Sequence, residues 1–165
     1  MLTLTYNLLS VNNELQVLAD KIGDRKTVHQ LAGEVLFDRH RERFLDEVTP
    51  EGKKWQRLSP VTLANRRSPK GILRDSGELF RSIHMKATTA NAQVGTNLNH
   101  PKVMVHQHGA TIKPKTAKSL VIPGGKGSNR PIFAKSAKIP ARPYIGIGKG
   151  DEDEVMEVLV DYLKD

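Results

Sequence analysis

The clearest pattern of apolar positions lies in residues 150–165. The apolar side chains follow the i, i+3, i+4, i+7, i+8 spacing of an amphipathic helix, at Val155, Val158, Leu159, Tyr162 and Leu163. Residues 151–154 are all acidic and complement the positive end of a helix dipole. The pattern therefore predicts a C-terminal amphipathic helix that begins at Asp151 and runs to Lys164.

Residues 1–50 predict two more helices. The first follows from a single apolar stripe, formed by Val11, Leu15, Leu18 and Ile22. The second begins at Thr27, where residues 27–30 have the form of a capping box, and runs to about Val48.

The second helix is unusual because its apolar residues change face along its length. Phe37, Phe44 and Val48 lie nearly opposite the face of Val28 and Leu36, at about 100° of rotation per residue. A helix with two apolar faces needs two partners. We expect one half to pack on the core of its own subunit, and the Phe44 half to pack on a neighbouring element or subunit.

Short elements are predicted in residues 51–109. Ser59 followed by Pro60 predicts a helix start, with Ser59 as the N-cap. Residues 75–78 form another capping-box pattern before a second short helix. Strands are expected over residues 83–88 and 92–96. The histidine-rich segment that ends at Gly109 fits either a short helix or a strand.

Residues 110–149 predict a long basic hairpin. Residues 110–140 contain four prolines, six lysines and a glycine-rich stretch at 124–129, which predicts a mobile tip. Pro140 and Pro143 then favour an extended path into a strand. A projecting hairpin of this kind favours contact with something other than its own core.

These elements together predict an α+β fold, because helices and antiparallel strands are mixed without β-α-β alternation. The 165 residues fit a single domain, residues 1–165. We expect N-terminal helices, a small antiparallel sheet with the long basic hairpin, and the C-terminal helix. No apolar run is long enough to predict a membrane span. The absence of cysteine favours synthesis in the cytoplasm.

Charge is distributed very unevenly along the chain. Residues 51–149 hold nineteen basic and three acidic residues, whereas residues 150–165 hold one basic and seven acidic residues. No acidic residue lies between Glu78 and Asp151. The basic block fits nucleic acid, an acidic protein surface, or a solvated loop region. The acidic C-terminal segment is one candidate partner, within or between subunits.

Motifs for catalysis or metal binding are weak. The acid-free stretch lacks the usual general bases, and no Gly-x-Ser-x-Gly element is present. His106 and His108 have strand spacing for a shared metal, but no carboxylate or cysteine lies nearby in sequence. Residues 124–128 lack the spacing of a phosphate-binding P-loop. We therefore expect no catalysis, cofactor, metal or small-molecule substrate.

Three segments carry a family resemblance. They are Trp55–Leu63, Ile72–Ile83, and the combination of His106–Gly109 with Ile139–Gly146. In order and approximate spacing they resemble the phage virion morphogenesis family, the tail-completion proteins of contractile-tailed, Mu-like and P2-like phages. His108 departs from the pattern, since an aromatic or other apolar residue is more usual there.

The resemblance implies a non-enzymatic structural protein that completes the tail or joins it to the head. Its implied partners are other phage tail or neck proteins and further copies of itself in a ring. It would be made in the cytoplasm of the host bacterium and end in the virion. The alternative function is a nucleic-acid-binding domain that grips phosphate through the basic hairpin without sequence preference.

The predicted contact residues lie on the second helix, around Gln107, along the hairpin and at its end. They are Phe44, Gln107, His108, Lys113, Lys115, Lys118, Lys126, Arg130, Arg142 and Tyr144. For Gln107 and Arg142, hydrogen bonds inside their own subunit are an alternative interpretation.

Overall fold

The computed structural model of the protein describes residues 2–5, 16, 23–124 and 130–164. The elements in chain order are β1 (Leu2–Thr5), α1 (Arg25–Asp46), α2 (Pro60–Asn65), α3 (Glu78–Arg81), β2 (Ile83–Ala87), β3 (Ala92–Thr96), α4 (Pro101–His108), β4 (Ala110–Ile112), β5 (Leu120–Ile122), β6 (Ile132–Ala134), β7 (Ala137–Ile139) and α5 (Asp151–Lys164). The predicted α+β class is confirmed. The helix predicted near residues 11–22, apart from Gln16, and the tip at 125–129 lie outside the described residues.

Helix α1 begins two residues earlier than the sequence pattern predicts. Asp24 is its N-cap, and the two carboxylate oxygens of Asp24 accept from the backbone N–H and the hydroxyl of Thr27. A carboxylate at the N-cap satisfies a free amide and meets the positive end of the helix. The capping box predicted at Thr27 is therefore wrong, because Thr27 donates to the cap.

The apolar residues of α1 pack against two different parts of the same chain. Val28, Ala32 and Leu36 are buried on the side that contacts β2 and β3. Farther along, Phe44 is fully buried, and α1 also packs against α5. The second apolar face of α1 therefore packs on neighbouring elements of the same chain.

The main sheet has the strand order β1-β3-β2 and is antiparallel throughout. Val94 of β3 lies opposite Met85 of β2 and is completely buried. Helix α1 approaches this sheet closely at Gly33, where an added Cβ would lie 2.9 Å from the Met85 side chain. The predicted strands β2 and β3 are confirmed, with β2 ending one residue early.

Three short helices lie between α1 and the hairpin, two before β2 and one after β3. Ser59 caps α2 by accepting from the amide of Thr62 at 3.2 Å, as predicted. Helix α3 has Gly77 at its N-cap and no side-chain cap, so the second predicted capping box is wrong. Asp75 instead accepts from two backbone amides of the preceding turn. The histidine-rich segment forms helix α4, not a strand.

The predicted hairpin consists of two separate antiparallel ladders. Strand β4 pairs with β7, and β5 pairs with β6 beyond them. We call residues 110–139 the basic arm. Residues 140–150 form no strand, so the strand predicted through Ile147 is wrong. Their backbone is held by side chains of other elements.

Candidate assembly interface

The family-like motif segments meet in space at the base of the basic arm. Arg142 donates through Nε to the carbonyl oxygen of Gln56 at 2.9 Å and through Nη2 to that of Arg57 at 3.4 Å. In return, the indole N–H of Trp55 donates to the carbonyl oxygen of Pro143 at 3.0 Å. Burial lowers the pKa of the Arg142 guanidinium. These reciprocal bonds fix the point where the chain leaves the arm.

Gln107 fastens the same segment from the side of α4. Its amide Nε2 donates to the carbonyl oxygen of Ile145 at 2.7 Å. Its Oε1 accepts from the backbone N–H groups of Tyr144 and Ile145 at 3.1 and 3.2 Å. The side chain therefore replaces the missing strand partner for this backbone.

Phe44 and Tyr144 belong to an aromatic cluster inside the chain. The ring centroid of Phe44 lies 5.1 Å from that of Tyr144, 5.5 Å from Trp55 and 5.7 Å from Phe80. The Tyr144 hydroxyl donates to the carbonyl oxygen of Val103 at 3.3 Å, and burial raises the pKa of this phenol. The cluster joins α1, α4 and the segment after the arm.

A buried ion pair connects α1 to the start of α5. Arg43 donates to both carboxylate oxygens of Asp151 and, at 2.7 Å, to the carbonyl oxygen of Gly146. Asp151 also accepts from the backbone N–H of Gly148 at 2.8 Å. An added Cβ on Gly148 would lie 1.9 Å from the carbonyl oxygen of Pro50, so no larger residue fits there.

His40 completes this buried network. Its Nδ1 contacts the carbonyl oxygen of Leu36, and its Nε2 accepts from the backbone N–H of Gly146 at 3.2 Å. The neutral ring with its proton on Nδ1 satisfies both contacts. Burial is the main cause that lowers the pKa of His40 to about 4.

At its outer ladder, the basic arm has one partly covered face and one exposed face. Ile122 lines a cavity of about 380 Å³ together with Leu58 and Val61, which lie just before and at the start of α2. Because side chains alternate across a strand, its neighbour Val121 lies on the opposite face. Val121 pairs in register with Phe133, and the two are 63% and 66% exposed. We call Val121 and Phe133 the outer pair.

The charged residues of the arm extend into solvent. The exposed lysines of the arm are Lys113, Lys115, Lys118, Lys135 and Lys138. None of these five forms a salt bridge within the part of the chain that the structure describes. The arm is therefore a basic surface with an apolar centre.

Helix α5 has the opposite character on its outward face. Val155 and Leu159 are buried, and the helix packs on α1. Asp153 and Glu157 are exposed, and Val160 is 37% exposed. These three residues have the i, i+4, i+7 spacing of one helix face. We call them the acidic face of α5.

The comparison with known proteins agrees with the convergence of the motif segments. The profile of the phage virion morphogenesis family matches residues 6–164. The chain belongs to the phage virion morphogenesis family. The resemblance carried by the three motif segments is thus confirmed.

One relative in this comparison is a protein of Escherichia phage Mu named "Putative capsid assembly protein G". It is 27% identical over 155 residues, which cover 88% of this chain and 85% of the phage Mu protein. No solved structure matches the chain significantly. Family membership supports a structural or assembly role for the protein in phage morphogenesis. Such a role implies interaction with other phage proteins.

Several residues predicted to contact a partner lie inside this virion morphogenesis domain. Phe44 and Tyr144 are 0% exposed and Arg142 is 4% exposed. A side chain enclosed by its own chain cannot contact a second protein directly, so the prediction of direct contact is corrected for these three. Gln107 is partly buried and bonded to backbone of its own chain.

The remaining predicted contact residues are on the outside or are not described. The exposed ones are His108, Lys113, Lys115, Lys118 and Arg130. Lys126 lies outside the described residues. His106 and His108 are two positions apart on a helix and so point to different sides, which removes the strand geometry proposed for a shared metal.

The sequence interpretation missed the outer pair. Its signal was two three-residue apolar runs, 120–122 and 132–134, in a hairpin with no other predicted layer on its second face. In the described ranges, no group of three or more potential metal ligands occurs. Within the same ranges, every helix is too short or too polar to cross a bilayer.

Proposed function

We propose that this protein completes the phage tail or joins it to the head, as a structural component without catalytic activity. The basic arm is the observation that supports this most directly. It places an apolar pair among unpaired lysines at the surface, which suits docking to another protein. The name of the phage Mu relative refers to capsid assembly, and a role at the junction with the head is compatible with it.

In this role the protein acts as a homo-oligomer, arranged as a ring among tail or neck proteins. It is made in the cytoplasm of the host bacterium and is incorporated into the virion. When one surface of a subunit binds a different surface of the next copy, a ring forms if the rotation between copies closes. The separation of charge between the arm and α5 provides two different surfaces of this kind.

Deletion of the gene from its phage or prophage tests this proposal. Electron microscopy of the lysate is expected to show heads and tails that remain separate, or tails with an incomplete end, and plating should fall to background. Expression of the wild-type chain from a plasmid should restore whole particles. Normal infectious particles from the deletion strain would refute the proposal.

A second candidate function is non-specific binding of nucleic acid by the basic arm. The exposed, unpaired lysines of the arm favour it, because phosphate binding depends on such cations. In a ring around a DNA channel, the two functions are compatible. The salt dependence of DNA binding distinguishes them.

A further inference from the structure

The outer pair has no cover in the described part of the chain. Val121 and Phe133 lie opposite each other on β5 and β6, and about two thirds of each side chain is exposed, at 63% and 66%. A two-stranded ladder has little stability of its own in water. A large apolar pair on its outer face therefore favours a packing partner.

The charges around the outer pair select an acidic partner. The nearest basic residues in sequence are Lys118, Arg130 and Lys135, each within three positions of Val121 or Phe133. No acid lies on the arm to offset them. A second basic surface would be repelled, whereas an acidic surface with an apolar centre would be complementary.

The acidic face of α5 has this composition. Asp153 and Glu157 form no salt bridge within the residues that the structure describes, and Val160 lies beside them on the same face. The arm's lysines form none either, so these opposite charges are not neutralised inside one described subunit. They are available to a second copy.

We propose that the basic arm of one copy binds the acidic face of α5 on a second copy. This inference rests on the proposed function, since it specifies the contact that builds the oligomer. Phe133 and Val121 pack against Val160, and the flanking lysines pair with Asp153 and Glu157. Because the two surfaces differ, the contact runs head to tail and repeats from copy to copy.

Two blocking variants test this arrangement. F133E places an acid at the centre of the arm, and E157K places a base at the centre of the acidic face. Each residue is exposed, so neither change disturbs the core. In sedimentation velocity at low salt, each variant alone should self-associate at least about tenfold more weakly than the wild-type chain.

Mixing the two variants gives the decisive measurement. F133E retains an unchanged acidic face and E157K retains an unchanged arm. One contact can therefore form, between the arm of E157K and the acidic face of F133E. The mixture should give a 1:1 heterodimer that does not grow further. M104E and D38K are matched controls at exposed positions on α4 and α1, and both should associate like the wild type.

Three results would overturn the proposal. They are a wild-type chain that stays monomeric at about 1 mM, single variants that associate as well as the wild type, and a mixture without heterodimer. If F133E self-associates normally but loses retention of duplex DNA on filters, the arm serves nucleic acid instead, and the proposal is again overturned.

Complementation of the deletion strain separates this contact from the proposed function. If F133E and E157K both restore normal particles, the arm–helix contact is refuted while the assembly function stands. If the deletion itself leaves particles normal, the assembly function fails, and sedimentation still decides the contact. Loss of complementation by each variant, with M104E and D38K active, supports both.

Discussion

Arg142 shows how a residue that looks like a docking group can serve the interior. Its guanidinium donates to the carbonyl oxygens of Gln56 and Arg57, which belong to the motif segment around Trp55. A planar fork with five donors suits two adjacent carbonyls better than the point charge of lysine. Arg142 therefore determines the direction in which the arm leaves the core, and its effect on partners is indirect.

His40 makes the stability of the protein depend on pH. Burial holds its pKa at about 4 in the folded chain, below the ordinary value of 6.5. The unfolded chain therefore binds a proton first as the pH falls, and protonation removes the acceptor for the Gly146 amide. The contribution is complete above pH 6.5 and is lost as the pH falls towards 4, at most about 3 kcal/mol.

Urea unfolding at several pH values checks this prediction. The fall in the free energy of unfolding between pH 6.5 and 4 should be smaller in H40Q than in the wild type. Arg43 and Asp151, the charged groups that act on the ring, are present in both proteins, so the difference between the two proteins reports on His40. H108Q, at an exposed position, should keep the full pH dependence; equal slopes in H40Q and wild type would contradict the prediction.

Single residues illustrate the limit of sequence interpretation for the candidate site. The pattern identified Phe44, Gln107 and Arg142 as special, because their types and flanking residues are unusual. It did not show whether they face inward. The carbonyl partner of Arg142 lies 86 positions away in sequence, and no local pattern carries that information.

At the scale of elements, the buried ion pair of Arg43 and Asp151 joins the start of α5 to α1, in addition to the apolar packing of Val155 and Leu159. Removing one partner of such a pair leaves a buried charge uncompensated, which costs about 3–5 kcal/mol. D151N should therefore lower the free energy of unfolding by that order, since Arg43 is only 6% exposed and would lose its buried counter-charge. Urea denaturation at pH 7 measures the loss.

The matched control for this change is D153N, two positions further along the same helix and on its exposed side. Because Asp153 is exposed, its substitution should change stability by no more than about 0.5 kcal/mol. The double variant R43M/D151L should be more stable than D151N, because both charges are then absent. A D151N protein as stable as D153N would show that the pair does not hold α5.

Elements were predicted well where a periodic pattern extends over many residues. They were predicted poorly where a cap or strand pairing determines the bounds of the element. The stripe of α5 and the strands β2 and β3 followed from periodicity alone. The start of α1 did not, because Asp24 and Thr27 both fit a cap and only geometry selects Asp24. Strand β1 was missed, since four residues carry too little pattern and depend on pairing with β3.

The whole molecule combines a basic arm with an acidic helix and carries a net charge of +8. Such a separation of charge favours directed association over uniform repulsion. The same positive charge allows the arm to bind the phosphate groups of nucleic acid. The two possible partners of the arm, acidic protein and nucleic acid, differ in how strongly salt affects them.

Filter binding of duplex DNA across salt concentrations measures the nucleic-acid contribution. If the arm binds phosphate, the logarithm of the binding constant falls linearly with the logarithm of salt. The double variant K115Q/K118Q should then reduce the magnitude of that slope by about 1.8, at about 0.9 per phosphate contact. K26Q with K53Q, which removes the same charge elsewhere, should leave it unchanged. Absence of retention at low salt would exclude this function.

The attachment of α5 also has a consequence for the order of events during synthesis. Arg43 leaves the ribosome long before its partner Asp151, which lies 108 residues later. At bacterial translation speeds this interval is roughly 5–20 s. For most of this interval, the second half of α1 has neither its ion pair nor the ring of Tyr144. A chain interrupted before Asp151 therefore keeps an open core and lacks α5, so only finished chains present both surfaces for incorporation into a particle.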